Sequence, residues 1–206
     1  MKLTTLFLTL ITLTIFSCSP IDPNKQIDEG NVKGEIYESK EIGWSIEIPN
    51  SWAVTSKDKI EASDQKGKDA LEKSTGLELN TKELKHLISF QKNQFNIFAS
   101  TSEPVKEAFP GEYQSSYKTL NQLIYQTFID QGIKADSSSG KEMIQGLEFN
   151  TFYTTIYGPN GKVLLNQIMY SRLMNGFDFG VNINYNNEQD KKTMIDAFKK
   201  SKFSTK

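Results

Sequence analysis

Apolar and polar residues alternate most regularly over residues 177–185. The five odd-numbered positions of this segment are apolar, and the four even-numbered positions are polar or Gly. Successive side chains of a β-strand point to opposite faces of its sheet, so this pattern predicts a strand with one face on a hydrophobic core. The other face of the strand is expected to lie in water.

Five further strand signals are joined by short turns. A Gly-Pro-Asn-Gly sequence at residues 158–161 and the surroundings of Asn93 are each typical of the turn in a β-hairpin. Neighbouring strands joined by short turns run antiparallel, so we predict a mainly antiparallel sheet. The additional predicted strands cover residues 44–48, 87–91, 95–99, 149–157 and 163–173.

Two segments have the spacing of amphipathic α-helices. The first begins at Ser115 or Ser116, which can cap its N terminus, and ends before Gly132. The second lies close to the C terminus, with acidic residues in its first turn and lysines at its end, as the helix dipole favours. Residues 64–75 are a third candidate helix with few apolar positions. They belong to a long polar connection, residues 56–82, which we interpret as a solvated flap or as a lid over one end of the sheet.

The first residues of the chain have the features of a secretory signal. An apolar run over residues 3–16 follows Met1 and Lys2, and it is too short to span a bilayer, which needs about 20 residues. The sequence Ile-Phe-Ser-Cys that ends at Cys18 resembles a bacterial lipobox. This resemblance implies that residues 1–17 are a signal peptide that is removed and that Cys18 receives a lipid anchor. An ordinary secretory signal with an incidental Cys is the alternative.

The chain after the signal divides into two parts. Residues 18–33 contain two prolines and no hydrophobic periodicity, which predicts a flexible tether. Ser19, directly after the Cys, resembles lipoproteins that are released to the outer membrane. We therefore expect the protein in the cell envelope, at the outer membrane of a Gram-negative bacterium. Residues 34–206 contain no linker and no internal repeat, and they predict a single globular domain.

The sequence Gly-Trp-Ser-Ile-Glu-Ile-Pro at residues 43–49, followed by Ser51 and Trp52, resembles the opening motif of the PsbP/Mog-type superfamily. The order of the predicted strands and helices is also similar to this family over residues 34–206. The resemblance implies an α+β fold, an α/β/α sandwich around a mainly antiparallel sheet. Members of the superfamily are mostly binding or assembly modules without a shared catalytic centre, so the resemblance implies a fold more than an activity.

Composition excludes several classes of function. The 206 residues contain 24 Lys and Arg against 25 Asp and Glu, one Cys and one His. A formal net charge of −1 provides no basic surface for nucleic acid, and we predict no nucleic-acid partner. A lone His and a lone Cys cannot supply the ligand clusters of common metal centres, and we find no cofactor-binding motif. We therefore predict no metal, no cofactor and no catalytic residue.

Three residues are candidates for binding. Phe109 and Tyr113 lie on a connection, residues 101–114, where apolar side chains are potential partner contacts. The alternative is that both pack against the N terminus of the following helix. Arg172 is the only arginine, and it becomes a candidate anion contact if it lies half-buried beside aromatic residues. The only histidine, His86, has no second metal-binding motif beside it, which favours a position at the surface or a sheet edge.

These features predict a non-catalytic envelope lipoprotein, attached to the membrane by its N-terminal lipid, that binds an envelope protein or a small ligand. The alternative is an envelope hydrolase whose carboxylate or hydroxyl site is not visible in the sequence. A structural envelope component without a ligand pocket is a third alternative. A pocket in which several titratable or hydroxyl groups converge favours the enzyme. Exposed apolar residues near Phe109 favour the binding module.

Overall fold

The computed structural model describes residues 21–204 of the chain. The predicted signal peptide, residues 1–17, and Cys18 lie outside the described residues. Within residues 21–204 the helices are α1 (Lys57–Thr75), α2 (Glu112–Asp130) and α3 (Glu188–Lys200), and a short 3-10 helix covers Pro23–Lys25. The strands are β1 (Asn31–Lys33), β2 (Ile36–Ser39), β3 (Trp44–Glu47), β4 (Ala53–Val54), β5 (Lys85–Gln91), β6 (Ile97–Pro104), β7 (Ala135–Ile144), β8 (Leu147–Tyr157), β9 (Val163–Met174), β10 (Phe177–Tyr185) and β11 (Lys202–Phe203).

The strands pair antiparallel and belong to two sheets. The small sheet has the order β1-β2-β3-β11, and the large sheet has the order β4-β5-β6-β10-β9-β8-β7. The predicted α+β fold with mainly antiparallel strands is therefore confirmed, with the strands divided between two sheets.

The hydrophobic core lies between one face of the large sheet, the small sheet and α3. The odd-numbered residues of β10 face this core, as their alternation predicts, and Phe179 is fully buried. The ring centroid of Trp44 in the small sheet lies 4.8 Å from that of Phe179. Phe198 of α3 packs edge to face on Phe98 and Phe149 of the large sheet. Such aromatic pairs contribute about 0.5–1.5 kcal/mol each beyond the burial of their surface.

The turn before β3 requires glycine. Gly43 has a φ of 74°, and its carbonyl oxygen accepts a hydrogen bond from the amide of Ser204 at 2.7 Å. A Cβ atom at this position would overlap the carbonyl oxygen of Ser204. The first residue of the opening motif therefore allows β11, at the end of the domain, to pair with β3.

Helix α2 begins at Glu112, before the start predicted at residues 115–116. Gly111 precedes it with a left-handed φ of 88°. The carboxylate of Glu107 accepts a hydrogen bond from the amide of Tyr113 at 3.0 Å. A glutamate upstream of the helix thus satisfies one of its free N–H groups, a function that we predicted for serine.

The polar connection at residues 56–82 contains the 19-residue helix α1, which is longer than the predicted segment 64–75. None of its side chains is buried. Helix α1 packs beside α2, and polar contacts such as the ion pair between Lys57 and Asp28 fix its position. Because no apolar stripe holds this helix, hydrophobic periodicity detected only part of it.

The domain begins earlier than residue 34. Residues 31–33 form β1, which pairs with β2 and buries Val32. The side-chain amide of Asn24 donates to the carbonyl oxygen of Val32 at 3.0 Å, and its oxygen accepts from the Val32 amide at 2.7 Å. Residues 24–33 thus lie on the domain, where the sequence predicted part of a flexible tether. This attachment depends on two side-chain hydrogen bonds and one buried Val. Such contacts produce no hydrophobic periodicity in the sequence, so the sequence did not predict it.

None of the helices within residues 21–204 combines the length and the apolar character needed to cross a bilayer.

Candidate ligand-binding site

Helix α2 covers the polar face of the large sheet. The even-numbered residues of β10, which we expected in water, lie on the side opposite the buried odd-numbered residues. The hydroxyl of Tyr113 on α2 donates a hydrogen bond to Asp178 of β10 at 2.8 Å. Asn182 and Asn184, further along β10, are only partly exposed. The expected water-facing side is therefore a polar interface between a helix and a sheet.

Tyr113, Ser171 and Asp178 form a hydrogen-bonded cluster beneath the N-terminal turn of α2. The hydroxyl oxygen of Ser171 on β9 lies 2.8 Å from the same carboxylate oxygen of Asp178 and also contacts the Tyr113 hydroxyl. Because each hydroxyl has one proton, two protons serve these three contacts. Tyr113 and Ser171 are both buried. The carboxylate of Asp178 thus lies against two buried hydroxyls, which satisfy it without a paired cation.

Burial raises the pKa of Tyr113 far above its usual value, and the charge of Asp178 raises it further. Burial also raises the pKa of Tyr117, about one helical turn along α2. Both phenols therefore stay protonated at physiological pH. Glu103 lies opposite Asp178 on β6, and its pKa is raised by burial and by the charges of Asp178 and Glu83. The site thus combines protonated hydroxyls with carboxyl groups.

A cavity of about 330 Å³ opens beside this cluster, between the start of α2, the start of β8 and the end of β9. It brings together Tyr113 and Arg172, two residues that the sequence singled out separately. The polar Asn150 and the acidic Glu107 and Glu148 also line it. Because predicted binding residues and buried polar groups meet here, the cavity is the candidate functional site.

Arg172 is half-buried in the wall of this cavity. Its Nη1 atom donates to the backbone oxygen of Glu148 at 2.5 Å. Its Nε atom is buried and has no hydrogen-bond partner within residues 21–204. The two carboxylates that line the cavity weigh against the binding of a free anion, although Lys141 pairs with Glu148 at 2.7 Å. The anion contact at Arg172 stays a prediction.

Phe109 and Tyr113 do not form one exposed surface. Phe109 is 57% exposed on the connection before α2, whereas Tyr113 lies inside the helix and is 8% exposed. Tyr113 contacts Ser171 and Asp178 of the sheet, and the partner contacts at Phe109 and Tyr113 stay predictions. Phe109 is two residues from Gly111, which also lines the cavity.

The only histidine lies too far from the cluster to act as its base. Across the large sheet, His86 pairs with Thr101, Thr101 pairs with Gly180, and Gly180 pairs with Ser171. Three steps between strands separate His86 from Ser171 by about 14 Å. The Nε2 atom of His86 contacts instead a carboxylate oxygen of Asp64 on α1, at 2.8 Å. The site therefore contains the hydroxyl and carboxyl groups that the hydrolase alternative requires, but it has no imidazole to activate the hydroxyl.

Asn150, Ser171 and Asp178 were not predicted from the sequence as members of this site. The position of Asp178 on the polar face of its strand was visible in the sequence, because it is an even-numbered polar residue of the alternating segment. Alternation separates the two faces of a strand, but it does not show whether water or a helix covers the polar face. Asn150 and Ser171 meet only through the pairing of β8 with β9, which puts them directly opposite each other.

A second concavity, of about 420 Å³, lies between α3 and the small sheet. Its lining includes the apolar Ile46 and Ala197, and also Glu47, Lys200 and Lys202. None of the three candidate residues Phe109, Tyr113 and Arg172 lines this second concavity. In neither concavity, nor elsewhere in the described part of the chain, do three or more His, Cys, Asp or Glu side chains cluster to hold a metal ion.

Comparison with known proteins identifies the fold. No protein-family model and no curated protein sequence matches the chain. Among solved structures, the solution structure of cyanobacterial PsbP (CyanoP) from Synechocystis sp. PCC 6803 is similar to it, with a TM-score of 0.53. The similarity covers 85% of this chain and 96% of the cyanobacterial chain at 9% sequence identity, so it concerns the fold alone. The chain therefore has a PsbP-like α+β fold.

Proposed function

We propose that the chain is a lipid-anchored, non-catalytic binding module of the bacterial cell envelope. The observation that carries this proposal is the cavity beside Tyr113 and Arg172. Its lining offers hydrogen-bond donors and acceptors, and no imidazole lies within hydrogen-bond reach of the hydroxyl of Ser171. Such groups can hold a ligand, whereas nucleophilic catalysis by serine requires a base that activates the hydroxyl.

The PsbP-like fold supports the same proposal. The superfamily that the opening motif resembles consists mostly of binding or assembly modules without a shared catalytic centre. The partners of other members are not transferred to this chain, since function depends on the residues of a site and not on the fold. Here the fold supplies a rigid sheet on which the cavity is built.

The lipid anchor is proposed from Cys18 and its lipobox-like context, and Ser19 favours the outer membrane. An anchored domain meets its partners at the membrane surface. Phe109, which is 57% exposed and lies two residues before the cavity-lining Gly111, offers such a partner an apolar contact. We therefore propose an envelope protein or a small ligand as the partner of this part of the domain.

Substitution of the lipidated residue tests the anchor. We expect Cys18→Ala to move the protein from the membrane fraction to the soluble fraction and to abolish the incorporation of labelled palmitate. Ile21→Ala is a matched control, because Ile21 is 50% exposed and lies only three residues further along the chain. Membrane retention of Cys18→Ala, with the label still incorporated, would show that the anchor is elsewhere.

Site-directed cross-linking in intact cells tests the binding site. A photoreactive residue at position 114 samples the cavity, which Gln114 lines, and the same residue at position 163 samples the other end of β9. We expect specific adducts from position 114 and fewer adducts when Phe109→Ala is added. Identical adducts from both positions, regardless of Phe109, would contradict a binding site at the cavity.

A further inference from the structure

The cavity lining mixes groups that only accept hydrogen bonds with groups that only donate them. The carboxylates of Glu107 and Glu148 accept, and the guanidinium of Arg172 donates. The amide side chain of Asn150, which is 8% exposed, does both. A ligand group that contacts both kinds of neighbour must itself donate and accept, and a hydroxyl group does so at a single oxygen atom.

The charges of the lining disfavour an ionised ligand of either sign. An anion that approaches Arg172 also meets the carboxylates of Glu107 and Glu148. A cation that approaches these carboxylates meets Arg172, and Lys141 already pairs with Glu148 at 2.7 Å. Glu107 and Glu148 are exposed, so salt screens these repulsions and they are strongest at low ionic strength. An uncharged ligand avoids both repulsions.

Buried polar atoms with unused hydrogen-bonding capacity extend along the same face of α2. Tyr113, Tyr117 and Asn121 are spaced four residues apart, so they lie on one face of the helix. The side chains of Tyr117 and Asn121 approach each other. Within residues 21–204, however, neither the Tyr117 hydroxyl nor the Asn121 Oδ1 atom has a partner in hydrogen-bond geometry, and Asn121 is 4% exposed. Buried polar groups are nearly always satisfied in folded proteins, so these atoms mark a polar strip on α2 that continues beyond the cavity, whose lining includes Tyr113 but neither Tyr117 nor Asn121.

The size of the cavity limits the ligand. A volume of about 330 Å³ lies at the lower end of the range of small-molecule sites, which is about 300–1,000 Å³. One or two sugar rings are of this size class. Tyr113, which is 8% exposed, also lines the cavity.

From these observations we propose that the cavity between α2, β8 and β9 binds an uncharged polyhydroxylated ligand of the sugar class. Hydroxyls of the ligand donate to Glu107 and Glu148 and accept from Arg172, and Asn150 pairs with a further hydroxyl. The inference rests on the proposed binding function and specifies its ligand class.

The single arginine makes a direct test possible. In a ¹⁵N-labelled full chain in detergent, the Nε–Hε resonance of an arginine side chain can come only from Arg172. We expect titration with cellobiose to shift this resonance saturably. Glucuronate and glucosamine in its ammonium form serve as the anionic and cationic probes, and we expect smaller shifts from both.

Matched variants show whether the shift reports the cavity. Asn150→Ala should weaken cellobiose binding about ten-fold or more, since it leaves ligand hydroxyls without a buried partner. Asn80→Ala is the control, because Asn80 is exposed on the connection after α1. The backbone spectrum and the Tm of each variant show that it is folded. Equal weakening by both substitutions would place the binding elsewhere and overturn the proposal.

Two other results would also overturn it. One is a folded chain whose Arg172 resonance is unmoved by cellobiose, maltose and sucrose up to their solubility limits. The other is a larger shift with glucuronate or glucosamine than with the neutral sugars. If position 114 still forms specific adducts in cells in either case, the sugar proposal fails and the proposed binding function stands.

Discussion

The Nε2 atom of His86 lies 2.8 Å from a carboxylate oxygen of Asp64, and this contact joins the large sheet to helix α1. Because α1 buries none of its side chains, its position depends on polar contacts of this kind. The hydrogen bond to Asp64 raises the pKa of His86 above its ordinary value, and the charges of Asp64 and Asp28 raise it further. Burial and the charge of Lys57 act in the opposite direction and are outweighed.

We expect the contribution of this pair to stability to depend on pH. A histidine whose pKa is raised in the folded state stabilises fully below its unfolded pKa of about 6.5, and this contribution is lost as the pH rises through the folded pKa. His86→Gln should therefore lower the free energy of unfolding by roughly 0.5–1 kcal/mol at about pH 5.5 and by less at about pH 8. Urea unfolding at both pH values measures this difference.

The control for this prediction is Lys59→Gln, which removes a charge from the same helix at an exposed position. Its effect should not follow the titration of His86, which NMR can record because the chain has one histidine. A cost for His86→Gln that is equal at both pH values would contradict the ion pair with Asp64.

Helix α1 should open more readily than α3. Met194 and Phe198 bury α3 in the core, whereas no side chain of α1 is buried. Local opening requires less free energy where fewer apolar contacts are lost. We expect the amides of α1 to exchange with solvent at least ten-fold faster than those of α3, about 1.4 kcal/mol less protection. Hydrogen exchange followed by NMR or mass spectrometry measures this, and equal protection of the two helices would refute it.

Gly43→Ala should destabilise the domain by about 1–3 kcal/mol, because it combines a positive φ with a Cβ atom that overlaps Ser204. Gly34→Ala is the matched control. Gly34 also has a positive φ, but no atom lies within 4 Å of the position that an added methyl group would take, so its cost should be limited to about 1 kcal/mol of backbone strain. Urea unfolding of both variants measures the costs, and equal values would disprove the role of the contact with Ser204.

Tyr113→Phe should lower the free energy of unfolding by about 1–3 kcal/mol. The substitution removes one of the two hydroxyls that contact Asp178, and it leaves the ring in place. Tyr125→Phe on the same helix, where Tyr125 is half-buried, is the control. Thermal and urea unfolding of the two variants provide the comparison. If the two substitutions cost the same, the cluster contributes nothing specific to stability.

Strands that bury a periodic apolar pattern were predictable, whereas β1, β2, β4, β7 and β11 were not predicted. The alternation in β10 indicated correctly which side of the strand meets the core, and the turn at residues 158–161 joins β8 to β9 as expected. The opening motif placed Trp44 in a strand, where it packs against Phe179. Each of these features depends on residues that are near one another in sequence.

The candidate site was only partly predictable. The sequence singled out Tyr113 and Arg172, yet it did not show that they share a cavity or that Asp178 lies beneath them. Their meeting depends on the placement of α2 over the polar face of the sheet, and the packing of polar surfaces leaves no periodic signature. Helix α1 was underestimated for the same reason, since ion pairs and not an apolar stripe hold it.

The attachment of Asn24 to Val32 has a consequence for the geometry of an anchored protein. The five residues from Cys18 to Asp22, which precede Pro23, can span at most about 18 Å when fully extended. A lipid on Cys18 would therefore hold the domain against its own membrane and prevent it from reaching across the envelope. The face around the 3-10 helix would point toward the bilayer, so the fold itself, more than a long linker, would decide which side of the domain a partner can approach.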